Sequence, residues 1–203
     1  MDIKMLNKEL GNADLILIDQ ILKDRFHVNM RILDAGCGEG RNMVYFVNNN
    51  FTIYGIDRDP TAVEVARTYL KSLNASFERE NIQNFTIENI PFPDHFFDAI
   101  LCINVLHSAS GKDALLGWYE SLIRMLAVGG FMLLSIKSRI GLSDEGDLTG
   151  SGNTSRNEED YYLLTRDLLT ELLQNDHIKC VEHAKSIITD GMSHTYLFLE
   201  RKD

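Results

Sequence analysis

A chain of 203 residues, 44% hydrophobic and 25% charged, carries enough apolar material for an ordinary globular core that needs no disulfide or metal staple. Its formal net charge of -10 argues against nucleic acid as a partner, because an acidic surface repels phosphate backbones and no basic run interrupts it. No stretch approaches the roughly 18 apolar residues of a membrane helix. The N-terminal MDIKMLNKEL has no secretory pattern. Cys37, Cys102 and Cys180 lack metal-ligand spacing, so the chain reads as cytoplasmic, with free thiols and no metal.

In chain order, residues 15–26 (LILIDQILKDRF) have helical apolar spacing with Asp14 as N-cap, within a helical N-terminal segment 1–30. Residues 31–35 (RILDA) read as a buried strand ending in a glycine-rich turn, followed by a helix over 41–49. A second strand is expected at 51–56. Asp59-Pro60, an N-cap and a first-turn proline, then opens a helix over 61–73. A short third strand is expected at 75–77, and a fourth at 97–103 (FDAILCI), apolar on both faces. A helix over 112–126 precedes Gly129-Gly130 and a fifth strand at 131–136. A helix over 165–173 and strands at 179–188 and 195–200, joined by a turn at Asp190-Gly191, complete the chain. This alternation predicts an α/β fold: a mostly parallel seven-stranded sheet, helices on both faces and an antiparallel C-terminal strand pair, all in one domain, 1–203. The segment 138–160, rich in Gly, Ser, Asp and Asn, is long for a connection and is expected to be a lid loop.

The turn after the first strand, Asp34-Ala35-Gly36-Cys37-Gly38-Glu39-Gly40-Arg41, offers a tight bend and a helix start that can face a ligand. A dinucleotide site wants G-x-G-x-x-G, whereas this turn is G-x-G-x-G with Arg41 where close packing needs Gly or Ala. Asp34 is expected to orient the loop by accepting backbone N–H bonds. Its charge disfavours a pyrophosphate and favours a sulfonium or ammonium group. At the end of the second strand, Asp57 is placed to accept from ribose hydroxyls, while Asp59 caps the next helix.

These residues resemble the class I S-adenosylmethionine-dependent methyltransferase superfamily, of the methyltransferase type 11/12 kind. The resemblance rests on Asp34, Gly36, Gly38 and Gly40 (D-x-G-x-G-x-G), on Asp57, on the run PFPDHFFD at 91–98, on the strand-four exit INVLH at 103–107 and on Val128-Gly129-Gly130. Val128 stands where proline is common. The run GEGRN at 38–42 is also similar to the tellurite-resistance branch. The resemblance implies a Rossmann-like methyltransferase fold with S-adenosylmethionine as cofactor and S-adenosylhomocysteine as product. Gly36, Cys37 and Gly38 would pass under its methionine part, Asp57 would hold the ribose and Arg58 would pack near the adenine. Asn81 and Ile82 would replace the acid that many relatives carry after strand three. The backbone near Cys102 and Ile103 would face the methionine amino group.

The implied reaction is methyl transfer to a small-molecule acceptor by in-line displacement. Such a reaction depends mainly on positioning. His107 is the candidate general base, and Tyr161, Tyr162 and His194 are candidate walls of the acceptor pocket. Cys102 lacks the neighbouring proline of cytosine-5 methyltransferases, and no N-P-P-Y-like run of amino-methylating enzymes occurs. The competing readings are a non-catalytic cofactor-binding module and a dinucleotide-dependent oxidoreductase. The first would bind cofactor without turnover, and the second would bind a nicotinamide dinucleotide.

Overall fold

The computed structural model describes residues 3–142 and 162–203. Helices α1 (Ile3–Leu10) and α2 (Leu15–Leu22) lead into strand β1 (Arg31–Ala35), helix α3 (Val44–Asn48), β2 (Thr52–Asp57), α4 (Pro60–Leu73) and β3 (Ile82–Asn84). There follow β4 (Phe97–Ile103), α5 (Lys112–Met125), β5 (Leu126–Ser138), α6 (Arg166–Leu173), β6 (Ile178–Cys180), β7 (Lys185–Thr189) and β8 (Met192–Arg201). Together they form a Rossmann-like α/β fold around one sheet in the order β3-β2-β1-β4-β5-β8-β6, with β7 paired to β8. The pairings from β3 through β5 are parallel, and β8 runs antiparallel to β5, β6 and β7.

Strand side chains alternate between two cores. Leu33, Ala35, Ile100, Cys102, Met132 and Leu134 face α5 and α6. Ile32, Ile53, Ala99, Leu101, Ile103 and Leu133 face α2, α3 and α4. Near-continuous apolar strands are the consequence of covering both faces.

The first and fourth strands lie where the sequence reading puts them, and three segments differ for local reasons. The third strand is not at 75–77 but at Ile82–Asn84, paired to Gly55–Asp57. Asn74 turns the chain away from α4: its side-chain oxygen accepts from Ser76 N at 2.9 Å and its carbonyl from Phe77 N at 3.0 Å. The stretch expected as one strand over 179–188 is two, β6 and β7, which adds an eighth strand. The break falls where the Glu182 carboxylate is held by Lys23 at 2.9 Å and Lys185 at 2.8 Å. Helix α2 stops at Leu22 because Asp24 adopts φ +57, and Phe26 then packs edge-on against Phe46 and Phe131. Asp190 and Gly191, both at positive φ, make the two-residue β7–β8 hairpin turn. The segment expected as a lid lies outside the described residues from 143 onward, as does Tyr161. No helix among the described residues is long and apolar enough to cross a membrane.

Asp14 ties the N-terminal helices to the sheet. Its Oδ1 accepts from Ile16 N at 2.9 Å and Leu17 N at 3.4 Å, capping α2. Its Oδ2 accepts from the Tyr196 hydroxyl of β8 at 3.0 Å, and its backbone N–H donates to Asn42 Oδ1 at 3.0 Å. Asp14→Ala therefore loses a cap worth about 1 kcal/mol and takes one partner from the buried Tyr196 hydroxyl, for about 2 kcal/mol in all. Urea denaturation of Asp14→Ala, Tyr196→Phe and the double variant is expected to give a non-additive cycle, because both single changes remove the same bond.

Candidate functional site

Because β1 and β4 sit at the centre of a parallel array, the segments leaving their carboxyl ends meet at one edge. They enclose a cavity of about 350 Å³. Gly36, Asp57, Arg58, Asn104, Val105 and His107 line it from the strand ends and turns. Phe85, Thr86, Ile87, Glu88 and Trp118 complete its wall.

The glycine-rich turn is fastened to the end of β2. The Ile56 carbonyl accepts from Gly36 N at 2.8 Å and Cys37 N at 3.0 Å. The Asp57 carboxylate accepts from Gly38 N at 2.8 Å through Oδ2 and from Asp59 N at 2.9 Å through Oδ1. Gly36, at φ +82, lies so close to Val105 that a Cβ there would come within 2.4 Å of the Val105 side chain. At Gly38, φ +51, an added Cβ would meet nothing within 4 Å, so the backbone faces open space. These two glycines serve close approach and a left-handed bend. Gly40 instead packs against Leu70 and Ala66 of α4. The Cys37 side chain points away from the cavity into the core beside Gly55. Burial pushes the thiols of both Cys37 and Cys102 up, so neither is a ready nucleophile.

Asp34 departs from its expected role. No described N–H holds its carboxyl, and Oδ2 is fully buried without a partner. Burial pushes its pKa up to about 7, with Arg41 opposing and Asp57 adding to the rise. A buried, unpaired carboxyl beside a ligand-facing turn is a costly arrangement that a cationic ligand group would relieve.

Asn81 and Ile82 do not reach the cavity. Both stand at the amino end of β3, Ile82 is fully buried, and its carbonyl accepts from the Arg67 guanidinium at 2.7 and 2.9 Å. A parallel strand presents its carboxyl end to the site, so residues beyond Asn84 form that wall instead. Once the third strand moves to Ile82–Asn84, Phe85 to Ile87 follow as wall residues. Trp118 carries no such signal, since it comes from the middle of α5; its indole N–H donates to Glu88 Oε1 at 2.5 Å. Asn84 braces the same corner, its amide donating to the Asp57 carbonyl at 2.9 Å. Ile103 and Cys102 are buried in β4, behind the cavity edge.

His107 lines the cavity but is poorly matched to general-base work. Burial, with the nearby charges of Lys137 and His194, brings its pKa down to about 3. A base of that strength is far from the optimum near the working pH. Tyr162 bonds through its backbone N–H to the His107 carbonyl at 2.8 Å, and its side chain packs on the core under α5 and α6. Asn104 closes β4 at φ +62, an uncommon conformation for a non-glycine residue and one found at functional sites. Among the described residues no group of three or more His, Cys, Asp or Glu could hold a metal ion.

A braced turn at the carboxyl edge of a parallel array is where ligands bind in open α/β sheets, and comparison with known proteins gives the family. Residues 33–134, about half of the chain, match the family described as "Methyltransferase domain". The chain belongs to this family, within the S-adenosylmethionine-dependent methyltransferase superfamily. It is 31% identical over 115 residues to a 2-heptyl-1-hydroxyquinolin-4(1H)-one methyltransferase of Mycobacteroides abscessus, covering 54% of this chain and 48% of that protein. It is 31% identical over 119 residues to a probable tRNA methyltransferase 9B of Mus musculus, covering 59% of this chain and 24% of that protein. The chain thus spans about half the length, or less, of these curated relatives. Its fold is similar to the Burkholderia thailandensis 1,6-didemethyltoxoflavin-N1-methyltransferase, solved with its acceptor and S-adenosylhomocysteine: TM-score 0.70, 19% identity, 100% of this chain and 82% of that one.

Because Asp34 has a raised pKa in the folded chain, it binds a proton there that the unfolded chain gives up above its ordinary 3.8. Its contribution to stability is thus full below about 3.8 and is lost as pH rises to about 7. Relative to Asp34→Asn, the unliganded wild type is expected to lose stability over this window, at up to ~1.4 kcal/mol per pH unit. Denaturation midpoints of both proteins across the window check this; parallel curves would show that Asp34 does not titrate there.

Proposed function

We propose that the chain binds S-adenosylmethionine in this cavity and transfers its methyl group to a small-molecule acceptor in the cytoplasm. The observation that carries the reading is the turn held by Ile56 and Asp57, with a buried unpaired carboxyl just before it and open space over Gly38. In this reading the Asp57 carboxylate, already fixed by two backbone N–H groups, uses its remaining lone pairs for the ribose hydroxyls. In the same reading the cavity-lining Thr86 and Ile87 would meet the adenine edge, with Phe85 and Trp118 as apolar walls and Arg58 beside it. Asp34 supplies the negative charge for the ammonium end. The cofactor supplies a methyl group activated by its sulfonium. The protein's own contribution is alignment and exclusion of water, and orientation alone can be worth roughly 7–11 kcal/mol.

A small-molecule acceptor fits the relative that acts on a hydroxyquinolone and the net charge of -10. The tRNA-named relative favours a second reading, a nucleic-acid acceptor, against which the acidic surface stands. Incubation with methyl-labelled cofactor and separated tRNA and small-molecule fractions of a cell extract distinguishes the two. Label is expected in the small-molecule fraction, and label in tRNA alone would sink the proposal. The buried or unbridged thiols of Cys37, Cys102 and Cys180 are in keeping with a reducing compartment.

Two outcomes are expected from calorimetry with S-adenosylhomocysteine. Asp57→Ala should weaken binding by about 1.5–3 kcal/mol for each charge-assisted bond lost, and more if the turn relaxes once Gly38 N loses its acceptor. Near pH 6, binding to the wild type should release a proton, seen as a heat that changes with the buffer's ionisation enthalpy. The reason is that a bound ammonium lowers a carboxyl pKa that starts at about 7. Asp34→Asn should bind more weakly and release none.

A further inference from the structure

Beyond His107 and Asn104 lies a polar corner that the proposed cofactor site does not use. At the carboxyl edge His194 of β8 pairs with Lys137 of β5, and its Nδ1 lies 2.7 Å from Asn104 Oδ1. That amide oxygen can only accept, and it also receives the Ser135 hydroxyl at 3.3 Å. The imidazole must therefore carry its proton on Nδ1, which leaves Nε2 as a bare lone pair. No described residue hydrogen-bonds Nε2. The ring is half-buried, one hydrogen bond from a cavity-lining side chain, and its charge is felt at His107. A base whose far nitrogen is fixed by a third group is the usual arrangement for proton abstraction. Asn104 holds this position at φ +62, a conformation that asparagine tolerates better than most residues.

We infer that His194, oriented by Asn104, takes the proton of the methyl acceptor, and that the acceptor presents an acidic hydroxyl such as a phenol, enol or N-hydroxyl. The inference rests on the methyltransferase reading and assigns the acceptor end of that same site. The O–H proton passes to Nε2, and the oxygen pair forms the new O–CH₃ bond. The old C–S bond breaks with its pair left on sulfur, and the imidazolium then returns its proton to solvent. Lys137 lowers the pKa of His194 and Asp14 from the cap of α2 raises it, while His107 from the turn after β4, itself held far below the ordinary value, is a neutral neighbour. Burial and Lys137 keep His194 below the ordinary histidine value, hence neutral and able to accept at physiological pH.

The experiment saturates the protein with S-adenosylhomocysteine and adds 4-nitrophenol, 1-hydroxyquinolin-4(1H)-one or, as a control, 4-nitroanisole. In histidine-labelled wild type, nitrogen NMR is expected to show His194 as the Nδ1–H tautomer. 4-Nitrophenol should bind with an increased phenolate absorbance. His194→Gln should remove that increase and weaken phenol binding about tenfold or more, while 4-nitroanisole is unaffected. With S-adenosylmethionine the same variant should lower kcat about 10²-fold or more. Asn104→Gly, which suits the left-handed backbone, should scramble the tautomer and lose part of the phenolate signal, and it serves if His194→Gln does not fold. If S-adenosylhomocysteine itself fails to bind, the methyltransferase reading falls. If it binds but no hydroxyl probe does, or if the Nε2–H tautomer is found, or if the variants keep the phenolate signal, only the role of His194 falls.

Discussion

Everything at the ligand edge depends on how the turn after β1 is fastened to the end of β2. One carbonyl, that of Ile56, accepts from two successive N–H groups, and one carboxylate, that of Asp57, accepts from Gly38 and from the residue that caps α4. Parallel pairing in register, Ala35 opposite Ile56, is what brings these groups together. The same register places Gly36 under Val105 from the β4 exit, where no side chain would fit. Sheet pairing, turn and cavity wall are therefore one construction. A shift of β1 by one residue would move the carboxylate away from the turn and send Asp34 to the opposite face.

That construction accepts unfavourable local terms. Asp34 is buried without a partner, and Asn104 adopts a left-handed conformation. Both lie at carboxyl ends of central strands, where two cores leave the backbone little freedom. Strain and unpaired polarity of this kind persist only where surrounding packing over-determines the geometry. Here that packing is the pair of apolar layers on either side of β1 and β4. Cores of this density do not relax by small adjustments, so the cost is held at the edge rather than dissipated.

The central strands were legible because their signal is composition, not context. RILDA and FDAILCI are apolar on both faces, bounded by turn residues, and read directly as buried parallel strands. That Asp57 and the glycine turn would meet at this edge was equally visible, since a bend and a strand-end carboxylate show in residue types. The third strand was not, because Ala75 to Phe77 has a strand-like composition that the side chain of Asn74 overrides by forming its own turn. With the strand at Ile82–Asn84, Phe85 to Ile87 line the cavity, while Asn81 and Ile82, expected near the adenine, stand at the other end of the strand. The N–H bonds expected for Asp34 are absent because Asp57, nineteen residues later, takes the Gly38 N–H instead. Which of two carboxylates reaches a turn is set by strand register, and single residues do not display it.

The C-terminal strands carry a consequence that the parallel half of the sheet cannot. In a parallel array each strand brings only its carboxyl end to the site. Strand β8 runs the other way, so it brings its amino end, Met192 to Tyr196, to the same edge. This is how His194 reaches Asn104 and Tyr196 reaches Asp14, from a position late in the chain. Tyr196 ties β8 to the cap of α2, and Asn42 ties that cap to the helical turn after the glycine loop. The glycine turn and the His194 corner are thus linked through Asp14 by two hydrogen bonds. The in-line transfer proposed above tolerates little displacement between its two ends. In that proposal an antiparallel strand beside β5, pinned to the cap of α2, would hold both ends to a single frame.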